Sequence, residues 1–395
     1  MRIIRKIINE IDYIIASILA IFFRLIRKNN SILLIPAADL NGGFGEDIMV
    51  YSFLQYYADK KIDLIVGTEC KKYYANICIQ YPIIYNKIFY TRLVFIMRKY
   101  SELHVIGADI MDGYHRGAGN MRFKSLFLAE KMGLKTNLTG LSVRKRFPKT
   151  NQKFFTNYAK QRILKARDIE SYNRLQNIIP NKVLLTTDIA FLCPLNSERP
   201  SSYKNTENWI ESKRKTGKII VAFCPNSIQM KDLGSNSYYT LMIRLLNVLQ
   251  KNNCSIMLLY HDLRKYALNT SDKDISQHIY EIWNNEDSIF IDDIEDGVSL
   301  KHYLNLADFT FTGRMHFGIS GYVCGIPMLG MSYLNKFEGL QTMFELDPQK
   351  TLFDYSDIKN EDMLIKEFIN NLQLYKLKVR ENLDTIKNMS KMNFN

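Results

Sequence analysis

The turn Thr312-Gly-Arg-Met-His316 puts a guanidinium and an imidazole on one short stretch of chain. Before it, Ala307 to Thr312 is mostly apolar and rich in β-favouring residues, and Gly313 closes it off, which reads as a buried strand. After it, Ile319, Tyr322 and Val323 recur at helical spacing, Gly325 stands where a helix C-terminus takes glycine, and Pro327 to Ser332 reads as the next strand. In a strand, turn, helix, strand unit the turn lies at the carboxyl edge of a parallel sheet, where a helix N-terminus presents unpaired N–H groups and a positive dipole end. Arg314 and His316 on such a turn suit a phosphate or a carboxylate. The plainer alternative pairs Arg314 with a structural carboxylate and uses His316 to cap the helix.

Other stretches carry residues of the same kind. The loop Ala37-Ala-Asp-Leu-Asn-Gly-Gly-Phe-Gly-Glu-Asp47 follows an apolar strand (Ser31 to Pro36) and opens a helix expected from Ile48 to about Tyr57. Glycines there let backbone amides approach a ligand closely, and Asn41, Gly42 and Gly43 are its binding candidates. Asp112 and His115 stand just past another strand (Glu102 to Gly107) and, with Asp47, are candidates for general acid and base. Arg167 precedes a helix that Asp168 and Ser171 would cap; it is either a second cation for the site or the partner of Asp188. His261-Asp262 falls at the end of the strand Cys254 to Tyr260, where His261 is a candidate substrate contact.

These residues need a scaffold that brings strand ends together. Further strands are expected at Ile62 to Gly67, Thr136 to Leu141, Lys218 to Cys224 and Ser288 to Asp292, alternating with helices such as Tyr239 to Leu249 and Leu300 to Leu306. The alternation predicts parallel sheets with helices on both faces. At 395 residues the chain exceeds a usual single domain. We divide it into a basic amphipathic N-terminal helix (1–30), an N-terminal α/β domain (31–196), a polar linker (197–216), a C-terminal α/β domain (217–350) and a helical tail (351–395). The fold class is α/β: two doubly wound, Rossmann-like domains facing a cleft, in the glycosyltransferase-B-like manner.

Composition narrows the partners. Hydrophobic residues at 47% and charged ones at 24% describe an ordinary globular protein. The net charge of +13 favours anionic partners, but no nucleic-acid motif accompanies the scattered basic residues, so no nucleic acid is expected. The six cysteines form no C-x-x-C pair and read as buried free thiols, and the histidines lack metal-ligand spacing, so no structural metal is expected. Residues 1–30 have basic ends and an apolar middle, Tyr13 to Phe23, that is shorter than the roughly 20 residues a bilayer span needs. A signal peptide, a helix packed on the protein's own body and an amphipathic helix in an anionic membrane interface are the three readings. The interfacial helix uses both the ends and the middle, and places the protein in the cytoplasm, peripheral on the inner face of the membrane.

Thr312-Gly-Arg-Met-His316, the run Gly-Ile-Pro-Met-Leu-Gly-Met-Ser-Tyr333 and Lys336 resemble the C-terminal signature of the polysaccharide pyruvyl transferase family. Ala166-Arg-Asp-Ile-Glu-Ser171 and the strand ending at Asp188 resemble two further family elements, and Asn41, Gly45 and Asp47 stand where the family carries an Asn and a Gly-Asp pair. Here Glu46 intervenes between glycine and aspartate, and the family's glycine run after the Glu102 to Gly107 strand is reduced to Gly107-Ala-Asp109. The resemblance implies transfer of pyruvyl from phosphoenolpyruvate to two hydroxyls of a sugar in a capsule or other exopolysaccharide, or in its lipid-linked precursor, a chemistry that requires no cofactor. It implies the donor on the C-terminal domain, against Arg314, His316 and Lys336 with Arg167 as second cation, and the acceptor on the N-terminal domain. A glycosyltransferase with a nucleotide sugar donor, and a non-catalytic membrane-associated scaffold, are the alternatives.

Overall fold

The computed structural model describes residues 2–26, 29–67, 78–80, 88–113, 117–145, 147–195, 198–265, 268–332, 337–355 and 360–395. Its contacts group into two units: Met1–Asn41, Met49–Ile189 and Met389–Asn395 in the first, Gly42–Ile48 and Ala190–Asn388 in the second.

The first unit holds a seven-stranded sheet in the order β3-β2-β1-β4-β5-β6-β7. Its strands are β1 (Ser31–Ile35), β2 (Lys61–Val66), β3 (Cys78–Gln80), β4 (Glu102–Ala108), β5 (Lys135–Leu141), β6 (Leu164–Ala166) and β7 (Val183–Leu185). Every pairing is parallel. β1 and β4 are buried along their whole length, as expected of strands covered by helices on both faces. The helices are α1 (Arg2–Phe22), α2 (Phe44–Tyr56), α3 (Phe89–Met97), α4 (Ala118–Lys131), α5 (Lys149–Ala159) and α6 (Ile169–Gln176). The first turn of α2 belongs with the second unit. Asp168 caps α6 by accepting from the Ser171 amide at 2.7 Å, as read from the sequence.

α1 packs on the first unit through Ala16 and Ala20, both fully buried. Its Asp12 accepts from the Tyr90 amide (2.6 Å), the Thr91 amide (3.1 Å) and the Thr91 hydroxyl (2.6 Å) at the start of α3. Tyr13 meets Tyr90 edge to face, and Glu10 pairs with Lys124 at 2.7 Å. Among the described residues no helix is long and apolar enough to cross a membrane.

The second unit holds a six-stranded parallel sheet in the order β10-β9-β8-β11-β12-β13. Its strands are β8 (Ile219–Cys224), β9 (Cys254–Leu258), β10 (Ser288–Phe290), β11 (Phe309–Thr312), β12 (Met328–Ser332) and β13 (Leu352–Asp354). The helices run α7 (Tyr203–Lys215), α8 (Ser227–Leu233), α9 (Ser235–Lys251), α10 (Asp272–Trp283), α11 (Gly297–Leu304), α12 (Met315–Val323), α13 (Glu338–Met343), α14 (Pro348–Thr351), α15 (Glu361–Asn370) and α16 (Leu372–Lys391). α7 lies within the stretch expected as a linker at 197–216 and buries Tyr203, Thr206 and Ile210, of which Tyr203 and Ile210 join the core of this unit. In each sheet strand order reverses between two neighbours, β1 and β4 in the first and β8 and β11 in the second, and the carboxyl ends at such a switch leave a crevice for ligands.

Candidate functional site

The β8/β11 switch of the second unit gathers most of the residues singled out above. Thr312 Oγ1 donates to the Cys224 carbonyl at 3.0 Å and accepts from the Arg314 amide at 2.9 Å, tying the two strand ends together. Asn226 completes the tie: its Oδ1 accepts from the Ile228 amide, capping α8, and its Nδ2 donates to the Gly313 carbonyl at 2.8 Å. Arg314 is the N-cap residue of α12, and His316 follows in the first turn of that helix.

Arg314 is held by a carboxylate. Its Nε donates to Asp272 Oδ2 at 2.8 Å, its Nη2 to Asp272 Oδ1 at 2.6 Å and to Ser227 Oγ at 3.0 Å. Nη1 lies 4.0 Å from Asp262 Oδ2. The Arg314 side chain is 11% exposed and Asp272 is wholly buried, so the pair neutralises a charge that would otherwise be costly there. Burial pushes the Asp272 carboxyl above the usual carboxylate range, against the pull of Arg314. Arg314 thus pairs with a carboxylate, which fixes the orientation of its fork.

The glycine-rich loop joins this site directly. The Phe44 amide donates to the His261 carbonyl at 3.1 Å, the Leu263 amide to the Gly42 carbonyl at 2.9 Å, and Gly43 bridges Asp262 antiparallel. Gly42 sits at φ +129, a conformation side chains rarely adopt. α2 starts at Phe44, earlier than the expected Ile48, because its first turn is stitched to the loop after β9 and Phe44 is buried in the core of this unit. Gly45 lies against His316: a Cβ there would come within 2.5 Å of His316 Nδ1. The His261 and His316 rings are parallel, 6.4 Å apart. Asp47, in the same first turn, is buried.

Sequence reasoning missed Asp272, Ser227 and Arg264. Arg264 donates to both oxygens of Asp262 (2.9 and 2.8 Å) and reaches Glu46 at 3.2 Å, so the residue that interrupts the family's Gly-Asp pair serves an ion pair. Asp272 follows Ser271, whose capping box with Asp274 was a legible helix start, but nothing local announced a partner for Arg314.

The remaining candidates belong to the first unit or fall outside the described residues. Asn41 belongs to the first unit and is exposed. Asp112, also there, is buried and accepts from the Arg144 amide at 3.2 Å, with Arg144 Nε 3.5 Å away. Arg167 is buried; it donates to Asp188 at 2.6 Å and to Ser142 at 2.7 Å, the pairing that the sequence offered as an alternative to a second cation. His115 and Lys336 fall outside the described residues. Among the described residues no group of three His, Cys, Asp or Glu could hold a metal ion.

Comparison with solved structures returns chains of the same fold at low identity. The Staphylococcus aureus MnaA structure with UDP aligns at 12% identity and TM-score 0.57, covering 93% of this chain and 95% of that one. UDP-GlcNAc 2-epimerase from Neisseria meningitidis bound to UDP-GlcNAc aligns at 12% and 0.55, covering 92% and 98%. A glycosyltransferase from Rickettsia africae aligns at 12% and 0.53, covering 93% and 99%. The shared fold is that of doubly wound α/β units. No curated protein matches. The polysaccharide pyruvyl transferase family model matches residues 44–335, from the first turn of α2 to just past β12, and on that match the chain belongs to the polysaccharide pyruvyl transferase family.

Proposed function

We propose that this transferase moves the pyruvyl group of phosphoenolpyruvate onto two hydroxyls of a sugar, giving a cyclic ketal and free phosphate. The observation that carries the donor reading is the convergence of Arg314, His316 and the N-terminus of α12 at the β8/β11 switch. Helix amides and His316 suit the phosphate, and the Arg314 guanidinium suits the carboxylate. Neutralising both lets the enol accept a proton at its methylene carbon, leaving a cationic centre on the next carbon. One sugar hydroxyl adds there and gives up its proton, the bond to phosphate breaks, and the second hydroxyl closes the ring with loss of its own proton. Asp47, Asp112 and His115 are the residues we propose for these proton transfers.

For the acceptor we propose a sugar of a surface polysaccharide or its lipid-linked precursor, met at the anionic inner face of the membrane. The second reading is a nucleotide sugar donor in the same place. Two observations favour it: Arg314 already spends much of its charge on Asp272, and two proteins of similar fold are solved with UDP or UDP-GlcNAc. Calorimetric titration of the protein with phosphoenolpyruvate and with a panel of nucleotide sugars separates them. Phosphoenolpyruvate binding that disappears in Arg314→Ala with His316→Ala supports the pyruvyl reading. A nucleotide sugar that binds while phosphoenolpyruvate stays silent overturns it.

A further inference from the structure

The outward face of α1 is apolar by design of its spacing. Ile4, Ile7, Ile11, Ile14, Ile18, Ile21 and Leu25 repeat at alternating steps of three and four residues. In the structure Ile7, Ile11, Ile14, Ile18 and Ile21 are each more than half exposed, and Leu25 is 92% exposed. Ile15 and Phe22 broaden the stripe and are exposed as well. Such a repeat has two natural occupants, a partner helix or a lipid surface.

The flanks choose between them. A coiled-coil seam is bordered by charged positions that pair across it, and here one border carries Ile8, Ile15 and Phe22. The two acids of α1 are engaged by the body, Glu10 with Lys124 and Asp12 with the start of α3. Apart from Glu10, which is exposed but paired with Lys124, the exposed charges around the stripe are basic: Lys6 and Arg24 on the α1 segment, with Arg92, Arg98 and Lys99 on and just after α3. The neighbouring end of α3 extends the apolar surface, since Phe95 is 43% exposed and meets Phe23 edge to face. A cavity of about 290 Å³ opens there, lined by Phe95, Ile96, Arg98, Lys99 and Tyr100. The Asn29 amide donates to the Lys99 carbonyl at 3.2 Å, fastening the chain after α1 to its rim.

We propose that α1 and the end of α3 form a docking face for an anionic bilayer. α1 lies in the plane of the membrane with its isoleucine stripe among the acyl chains, and Arg98 and Lys99 receive a lipid phosphate at the cavity. This names the surface and the lipid chemistry behind the membrane-bound acceptor proposed above, and it stands or falls separately from the donor reading.

The test is sedimentation of the full-length protein with vesicles of phosphatidylcholine alone and of phosphatidylcholine mixed with phosphatidylglycerol, paired with sedimentation velocity without lipid. Wild type should pellet with the anionic vesicles only. Ile14→Asp with Ile18→Asp, both at exposed positions, should weaken that binding by about a hundredfold or more. Arg98→Gln with Lys99→Gln should weaken it by about tenfold and flatten its salt dependence. Unchanged circular dichroism spectra and urea unfolding midpoints in both variants would show that they fold. Wild type that ignores anionic vesicles, or variants that bind them as wild type does, overturns the proposal. Self-association that the isoleucine variant abolishes, without vesicle binding, assigns the stripe to a second copy instead.

Discussion

An arginine stands at the strand-order switch of each unit, and the two are used in opposite ways. Arg122, on α4 after β4, sends its Nη2 to the Pro36 and Ala37 carbonyls (2.9 and 2.8 Å) and its Nη1 to the Ala118 carbonyl at 3.3 Å. Only backbone carbonyls receive these bonds, and burial pulls the guanidinium down to about 10. It fastens the chain leaving β1. Arg314, two residues past β11 and the N-cap of α12, instead pairs with a carboxylate. The same side chain ties backbone segments together in one unit and is gripped by a carboxylate beside a helix N-terminus in the other. Position in a doubly wound fold therefore does not decide whether a crevice is a site; the partners of its charge do.

Removing each arginine is the most direct way to break this comparison. Arg314→Ala should lower kcat/KM by about 100-fold to 1,000-fold, as loss of a preorganised cation at a reacting anion does. Arg122→Met should instead lower stability by about 3 kcal/mol, roughly 1 kcal/mol for each carbonyl left without its donor, with donor affinity unchanged. Urea unfolding followed alongside calorimetric donor binding reads both. If Arg122→Met loses donor binding while staying folded, the two arginines are not opposites.

Gly45→Ala sharpens the role of α2's first turn. The added methyl must displace His316, whose Nδ1 would lie 2.5 Å away, so a cost of about 1–3 kcal/mol and a higher donor KM are expected. A stability loss with KM unchanged would remove His316 from the donor site.

The smallest effect concerns pH. Glu102 shares a 2.8 Å hydrogen bond with His104 and accepts from Lys60 at 2.5 Å, and these partners, His104 foremost, hold its carboxyl down at about 2 from an ordinary 4.5. A carboxylate depressed on folding stabilises above its unfolded value and loses that contribution as pH falls toward the folded one. Stability should therefore decline between pH 4.5 and 2, and Glu102→Gln should flatten the decline in acid titrations followed by circular dichroism. His104, which burial pushes down, acts with the same sign. A slope unchanged in the variant would place the acid sensitivity elsewhere.

The strands were legible because parallel strands buried on both faces are short apolar runs between turn residues; β8, β9, β11 and β12 lie within a residue or two of their expected bounds. β13, Leu352–Asp354, escaped because three residues carry no period. α7 was hidden by the polar residues and proline ahead of it. In the site, Arg314 and His316 were visible because strand, turn and helix are consecutive in sequence. Asp272 was not, since a carboxylate 42 residues away reaches Arg314 only through the folding of β9 and α10 beside β8. Arg167 with Asp188 was readable as a pair because both stand at neighbouring strand ends.

The bonds from Asp12 to the start of α3 also fix the rotational setting of α1. Successive residues of a helix turn by about 100°, so a single residue inserted between Asp12 and Ile14 would swing the isoleucine row toward the protein and bring polar positions such as Ser17 outward. A buried carboxylate thus works as a keyway: it sets which side of α1 the surroundings meet.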